Sequence, residues 1–95
     1  MKIKSGYEVK NISGQDVVVY NDKPLSSEII LNENSLFLWN LTKQNHVTKS
    51  EMLTALLDEF DISTVLALGN IDVFVRTLKE YGVLEEWKKK VIQKL

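Results

Sequence analysis

The spacing of apolar residues changes once along this chain, at Asn32, and that change restricts the class of fold available. Before it, short β-branched and aromatic stretches are separated by turn residues. After it, apolar residues recur at three- and four-residue intervals. A chain whose strands all precede its helices must form a sheet and then cover it with a helical layer, an α+β arrangement. With 95 residues there is room for one such domain.

The strands come first. Residues 7–12 mix apolar and polar positions at period two, and residues 16–20 are Asp-Val-Val-Val-Tyr, a composition that strands favour. Ser13-Gly14-Gln15 and Asn21-Asp22-Lys23-Pro24 read as turns. Residues 25–31 read as a third strand, with Ser27, Ile29 and Leu31 on one face and Glu28 and Ile30 on the other. Three short strands joined by tight turns predict an antiparallel meander that needs helices for stability.

Asn32 is placed to cap a first helix over residues 33–41, because its side-chain oxygen can accept an early helical N–H. Leu36, Phe37, Leu38, Trp39 and Leu41 make that helix apolar nearly all round, which predicts a central, buried position with Trp39 in the core. A loop over residues 42–46 follows. Thr48-Lys49-Ser50-Glu51 is a capping box, with Val47 and Met52 placed as a hydrophobic staple. The second helix then buries Met52, Leu53, Leu56, Leu57 and Phe60. A third helix runs from Ser63 or Thr64 to Tyr81, continuous through Gly69, with Gly82 as its left-handed C-cap. After Leu84, the spacing of Trp87, Val91, Ile92 and Leu95 among four lysines predicts a short basic amphipathic helix. The chain thus divides into a domain over residues 1–84 and an extension over residues 85–95. A three-stranded antiparallel sheet followed by three helices matches a winged helix-turn-helix layout.

Little in the sequence supplies chemistry. The absence of Cys removes disulfides, thiolate metal sites and a Cys nucleophile together. His46 is the single His and falls in a polar loop, so no His cluster is available for a metal. Asp58/Glu59 and Glu85/Glu86 are sequence neighbours, which diverge by about 100° on a helix and do not converge on one atom. Asp58, Asp61 and Asp72 lack the spacing of a calcium loop, and no phosphate-binding loop, dinucleotide fingerprint or nucleophile elbow occurs. The chain is therefore expected not to be an enzyme and to use no cofactor or metal. It has no run of membrane-spanning length and no signal-like N-terminus, which fits a cytoplasmic protein. A net charge of −1 does not favour nucleic acid.

Two features point to binding. On a helical wheel, Ala67, Ile71, Phe74, Leu78 and Tyr81 share one arc of the third helix, the expected core face. Leu68 and Val75 lie on its shoulder, bordered by Asp72 and Lys79. That shoulder reads equally as core breadth or as the floor of a groove with a charged rim. The third strand is an edge strand of the expected meander, and Glu28 is its only charge. An extended peptide could pair with that edge and rest against the third helix. A winged-helix regulator that binds DNA is the alternative reading, although Arg76 and Lys79 are offset by Asp72 and Glu80. Val65, Leu66 and Leu68 leave a dimerisation module open as well.

The sequence resembles the PqqD family, small domains that recognise precursor peptides in pathways of ribosomally made, modified peptides. The resemblance rests on Ile29-Ile30-Leu31-Asn32-Glu33-Asn34-Ser35 followed by Leu38-Trp39. It continues with Val47-Thr48, Leu53, Leu56-Leu57 and Phe60-Asp61, then Asn70-Ile71, Phe74-Val75, Leu78 and Gly82-Val83-Leu84. It covers roughly residues 7–84. It implies a winged-helix fold and a leader peptide bound as an extra antiparallel strand against the third strand and third helix. By position, Ser27, Glu28, Ile29, Ile30 and Leu31 would supply the strand edge, and Leu68, Asp72, Val75, Arg76 and Lys79 the helix wall. It also implies delivery of the leader-bearing substrate to a modifying enzyme, such as a radical enzyme, cyclase, dehydratase or leader protease. The chain is expected to be a monomer or weak dimer and, from its charge and the lack of a long apolar run, to bind neither nucleic acid nor membrane.

Overall fold

The computed structural model describes residues 1–85. Its elements are β1 (Lys2–Ile3), β2 (Tyr7–Ile12), β3 (Gln15–Tyr20), β4 (Lys23–Pro24), β5 (Ile30–Leu31), α1 (Glu33–Gln44), α2 (Lys49–Glu59), α3 (Thr64–Glu80) and β6 (Leu84–Glu85). The order is that of an α+β domain with antiparallel sheets and three helices.

β2 and β3 form a hairpin in unbroken register from Tyr7↔Tyr20 to Ile12↔Gln15. Its turn residues, Ser13 and Gly14, have φ of 53° and 84°. Positive φ at both centres gives the turn whose twist matches that of paired strands. Asn21 and Asp22, at 50° and 66°, make the same turn between β3 and β4. β3 is the central strand, and Val17, Val18 and Val19 are all buried.

The third strand departs from the expected one. It pairs with β3 in two pieces, Val19↔Pro24 and then Val17↔Ile30, so two residues of β3 span six of its partner. Residues 25–28 leave the ladder: Leu25 turns inward against the core, while Ser26, Ser27 and Glu28 are exposed. The break follows Pro24, the last residue in register with the first part of the ladder. Pairing resumes at Ile29, whose carbonyl accepts from Val18 N–H at 3.0 Å. Ser27 and Glu28 are thus not strand residues. Ile29 and Leu31 are buried and Ile30 faces out, as their alternation predicts.

Asn32 caps α1. Its Oδ1 accepts from Ser35 N–H at 2.9 Å, and its own N–H donates to Ser35 Oγ at 2.8 Å. The helix runs beyond residue 41 to Gln44 because Thr42 is accommodated inside it, donating its hydroxyl to the Leu38 carbonyl at 2.8 Å. Leu38 and Trp39 are fully buried, whereas Leu36, Phe37 and Leu41 are only half-buried, so one face of α1 carries its packing. The Thr48–Glu51 capping box of α2 is closed at 3.1 and 2.9 Å, with Val47 and Met52 buried beside it. Ser63 caps α3, which passes unbroken through Gly69.

At the end of α3, Gly82 adopts φ 70°. Gly82 N–H donates to Lys79 O and Val83 N–H to Leu78 O, a Schellman closure that satisfies the last carbonyls. Tyr81, expected on the core face, is exposed, because the chain has already left helical geometry there. Val83 and Leu84 are buried, and β6 pairs with β1 through Lys2↔Glu85 and Ile3↔Leu84. Glu85 is therefore a strand residue, and the rest of the expected C-terminal helix lies outside the described residues. The core gathers Val18, Leu38, Trp39, Met52, Leu56, Ile71, Leu78 and Val83 between sheet and helices. Among the described residues, no helix is long and apolar enough to cross a membrane.

Candidate functional site

The site begins with the backbone of β5. Val18 N–H bonds to the Ile29 carbonyl, and the register pairs Val17 with Ile30 and Asp16 with Leu31. In an antiparallel ladder, pairs that exchange hydrogen bonds alternate with pairs that do not. Ile29 and Leu31 therefore direct their N–H and C=O groups at β3, and Ile30 directs both of its groups away. Among the described residues, β5 pairs with β3 alone. Ile30 thus offers one donor and one acceptor on an open edge, and its side chain is 48% exposed.

Beyond that edge lies a groove of about 190 Å³, bounded by residues 29–32 and Ser35 on one side and by α3 on the other. α3 contributes Asn70, Val73, Phe74, Thr77 and Leu78, a spacing that places all five on one helical stripe. Phe74 and Leu78 are buried and form the floor with Ile29 and Leu31. Val73 stands at the rim, 53% exposed, across from Ile30. Among the described residues, no charged side chain lines the groove. Asn32, Ser35, Asn70 and Thr77 supply its polar atoms. Among the described residues, no three His, Cys, Asp or Glu side chains converge to hold a metal ion. What this geometry provides is backbone pairing beside a neutral apolar trough, the physical basis of strand addition.

The residues expected at this site divide. Ile29, Ile30 and Leu31 line the groove; Ser27 and Glu28 do not. Leu68 is exposed and outside the lining. Asp72, Val75, Arg76 and Lys79 lie together along a second, more open cleft of about 550 Å³ with Lys49 and Glu80. There Lys49 Nζ meets Asp72 Oδ1 at 3.3 Å, tying α2 to α3. Val75, 5% exposed, belongs to the core. The helical wheel gives the apolar face of α3 its width but not its orientation: the flank bearing Val75 and Asp72 borders α2, and the opposite flank borders the sheet. Asn32, Ser35, Asn70, Val73, Phe74, Thr77 and Leu78 are the lining residues that the sequence reasoning did not assign. A signal for them existed, since Asn70, Val73 and Thr77 form a solvent-facing flank with no charge in a chain that is 26% charged.

Comparisons with known proteins bear on the family and the fold. A family model described as Coenzyme PQQ synthesis protein D (PqqD) matches residues 17–84, a span that includes β5, α1 and α3 and so every wall of the groove. A sequence comparison with curated proteins finds no match. Among solved structures, TbiB1 in complex with the TbiA(beta) leader peptide superimposes with a TM-score of 0.68 at 18% identity, covering 94% of this chain and 100% of that one. At that identity the likeness is one of fold. With most of its length matched by the family model, the chain belongs to the PqqD family.

Proposed function

We propose that this chain is a non-catalytic peptide-binding domain that takes up the leader region of a ribosomally made precursor. The leader adds as a strand along β5, hydrogen-bonding to Ile30, and rests its apolar side chains between Ile30 and Val73. The observation that carries this reading is the open edge at Ile30 facing an uncharged apolar groove. Family membership supports it, as does the leader peptide held by a protein of the same fold. In this reading the winged-helix layout serves peptide capture, and the domain presents the bound precursor to a modifying enzyme in the cytoplasm. The strand residues of the site are Ile29, Ile30 and Leu31, and the helix residues are Asn70, Val73, Phe74, Thr77 and Leu78 rather than the charged flank.

The test uses a synthetic leader from a precursor encoded beside this gene, followed by fluorescence anisotropy at rising salt, with duplex DNA in parallel. Binding through backbone pairing and apolar burial gives micromolar or tighter affinity with weak salt dependence. Failure of the peptide to bind, with duplex binding that falls steeply as salt rises, would instead establish a nucleic-acid function.

A further inference from the structure

A strand lying in this groove has two edges, and only one of them meets β5. The N–H and C=O groups on its other edge point toward α3. Once the peptide covers the trough they lose water, and a buried main-chain group without a partner is costly. The polar atoms of the groove differ in their availability. Asn32 and Ser35 are already engaged with each other in the α1 capping box, through bonds of 2.8 to 3.2 Å. Neither the Asn70 carboxamide nor the Thr77 hydroxyl has a hydrogen-bond partner among the described residues, yet both line the groove and both are half-buried.

The chemistry of these two side chains suits that edge. A carboxamide offers donors and an acceptor, and a hydroxyl offers one of each, so both can serve N–H and C=O groups alike. They sit seven residues apart on one stripe, about 10 Å along the helix axis, with Val73 between them. Successive outward-facing residues of a strand are two apart, about 6.6 Å, so the roughly 10 Å interval falls between one and two such steps, a mismatch of about 3 Å that flexible side chains can take up.

We infer that Asn70 and Thr77 hold the outer edge of the incoming strand, so that the groove grips the peptide main chain from both sides. This rests on the peptide-binding reading above and specifies its ligand class: an extended, neutral segment read through its backbone and one apolar side chain, not through charge. Neither residue carries the packing of the described fold, since both are partly exposed and neither side chain is hydrogen-bonded among the described residues.

The probe is a peptide selected from a displayed library of short random segments, retained by the wild-type chain and lost on Val73→Asp. Calorimetry on Asn70→Leu and Thr77→Val is expected to show a loss of about fivefold to tenfold each, the size of one net hydrogen bond, with unfolding midpoints unchanged. The decisive arm methylates the peptide's backbone amides one at a time. The amide that meets the Ile30 carbonyl should lose affinity equally in every background. At least one amide on the other edge should lose affinity with wild type and not with Asn70→Leu or Thr77→Val. Equal losses in all backgrounds, or unchanged affinity of both variants, overturns the assignment while leaving peptide binding intact. Failure to select any peptide sensitive to Val73→Asp overturns the binding reading and this assignment with it.

Discussion

Val73 and Val75 are two residues apart on α3 and lie on opposite sides of the account. Val73 is 53% exposed and Val75 is 5% exposed. A fully buried Val side chain contributes about 1.5 kcal/mol or more, so a peptide covering Val73 can gain roughly 1 kcal/mol there. Val73→Asp removes that gain and places a carboxylate in a groove that no Lys or Arg lines among the described residues. Covering it adds a desolvation cost of about 1–3 kcal/mol. The sum, roughly 2–4 kcal/mol, weakens binding about 30- to 1,000-fold. Stability should change by only about 0.5 kcal/mol, because the site is a solvent-facing helix position and the two residues have similar helix propensity. Val75→Asp should do the reverse. It buries an unpaired carboxylate in the core at a cost of about 3 kcal/mol or more, a large part of the 5–15 kcal/mol typical of a domain. The assay is calorimetric binding of the leader peptide paired with urea unfolding of each variant. Arg76→Glu, in the other cleft, serves as the control and should leave affinity within about twofold. Wild-type binding by folded Val73→Asp would remove Val73 from the site, and wild-type stability of Val75→Asp would remove Val75 from the core.

Other perturbations test the scaffold around the groove. Gly82→Ala forces a left-handed residue on Ala at φ 70° in open space and should cost about 1–2 kcal/mol in urea unfolding. Gly6→Ala has φ 93° and would also bring a Cβ within 2.7 Å of the Tyr20 ring, so it should cost more than Gly82→Ala. Asn32→Ala opens the capping box at the base of the groove and should lose about 1 kcal/mol of stability, read as a lower unfolding midpoint. Lys49→Gln breaks an exposed ion pair with Asp72 and should change stability by less than about 1 kcal/mol, with the difference fading at high salt.

The parts of this structure that were legible in the sequence are those set by local chemistry. Asn32, Thr48 with Glu51, and Gly82 each act within three or four residues of themselves, and each sits where its chemistry places it. Burial of Trp39 and the unbroken course of α3 through Gly69 also followed from pattern. Features that depend on distant partners were not legible. The apolar alternation of residues 25–31 resembles one strand, but one strand also needs a constant register against β3, which the segment itself does not encode. β1 and β6 are two-residue strands that exist only because the ends of the described chain meet. The helix wall of the groove was missed for the same reason. A wheel shows that α3 has an apolar face with two flanks, and only the packing of α2 against one of them leaves the other, with Val73, beside the sheet. Ile29, Ile30 and Leu31 line the groove, and they adjoin the Asn32 cap, which anchors them locally.

Amide chemical shifts followed during titration with the leader peptide report which surface the peptide occupies. The largest changes are expected at Ile30 and along Asn70, Val73 and Thr77, with Lys49, Asp72 and Arg76 nearly still. Large shifts in the Lys49–Asp72–Arg76 cleft, with Ile30 unmoved, would contradict binding in the groove.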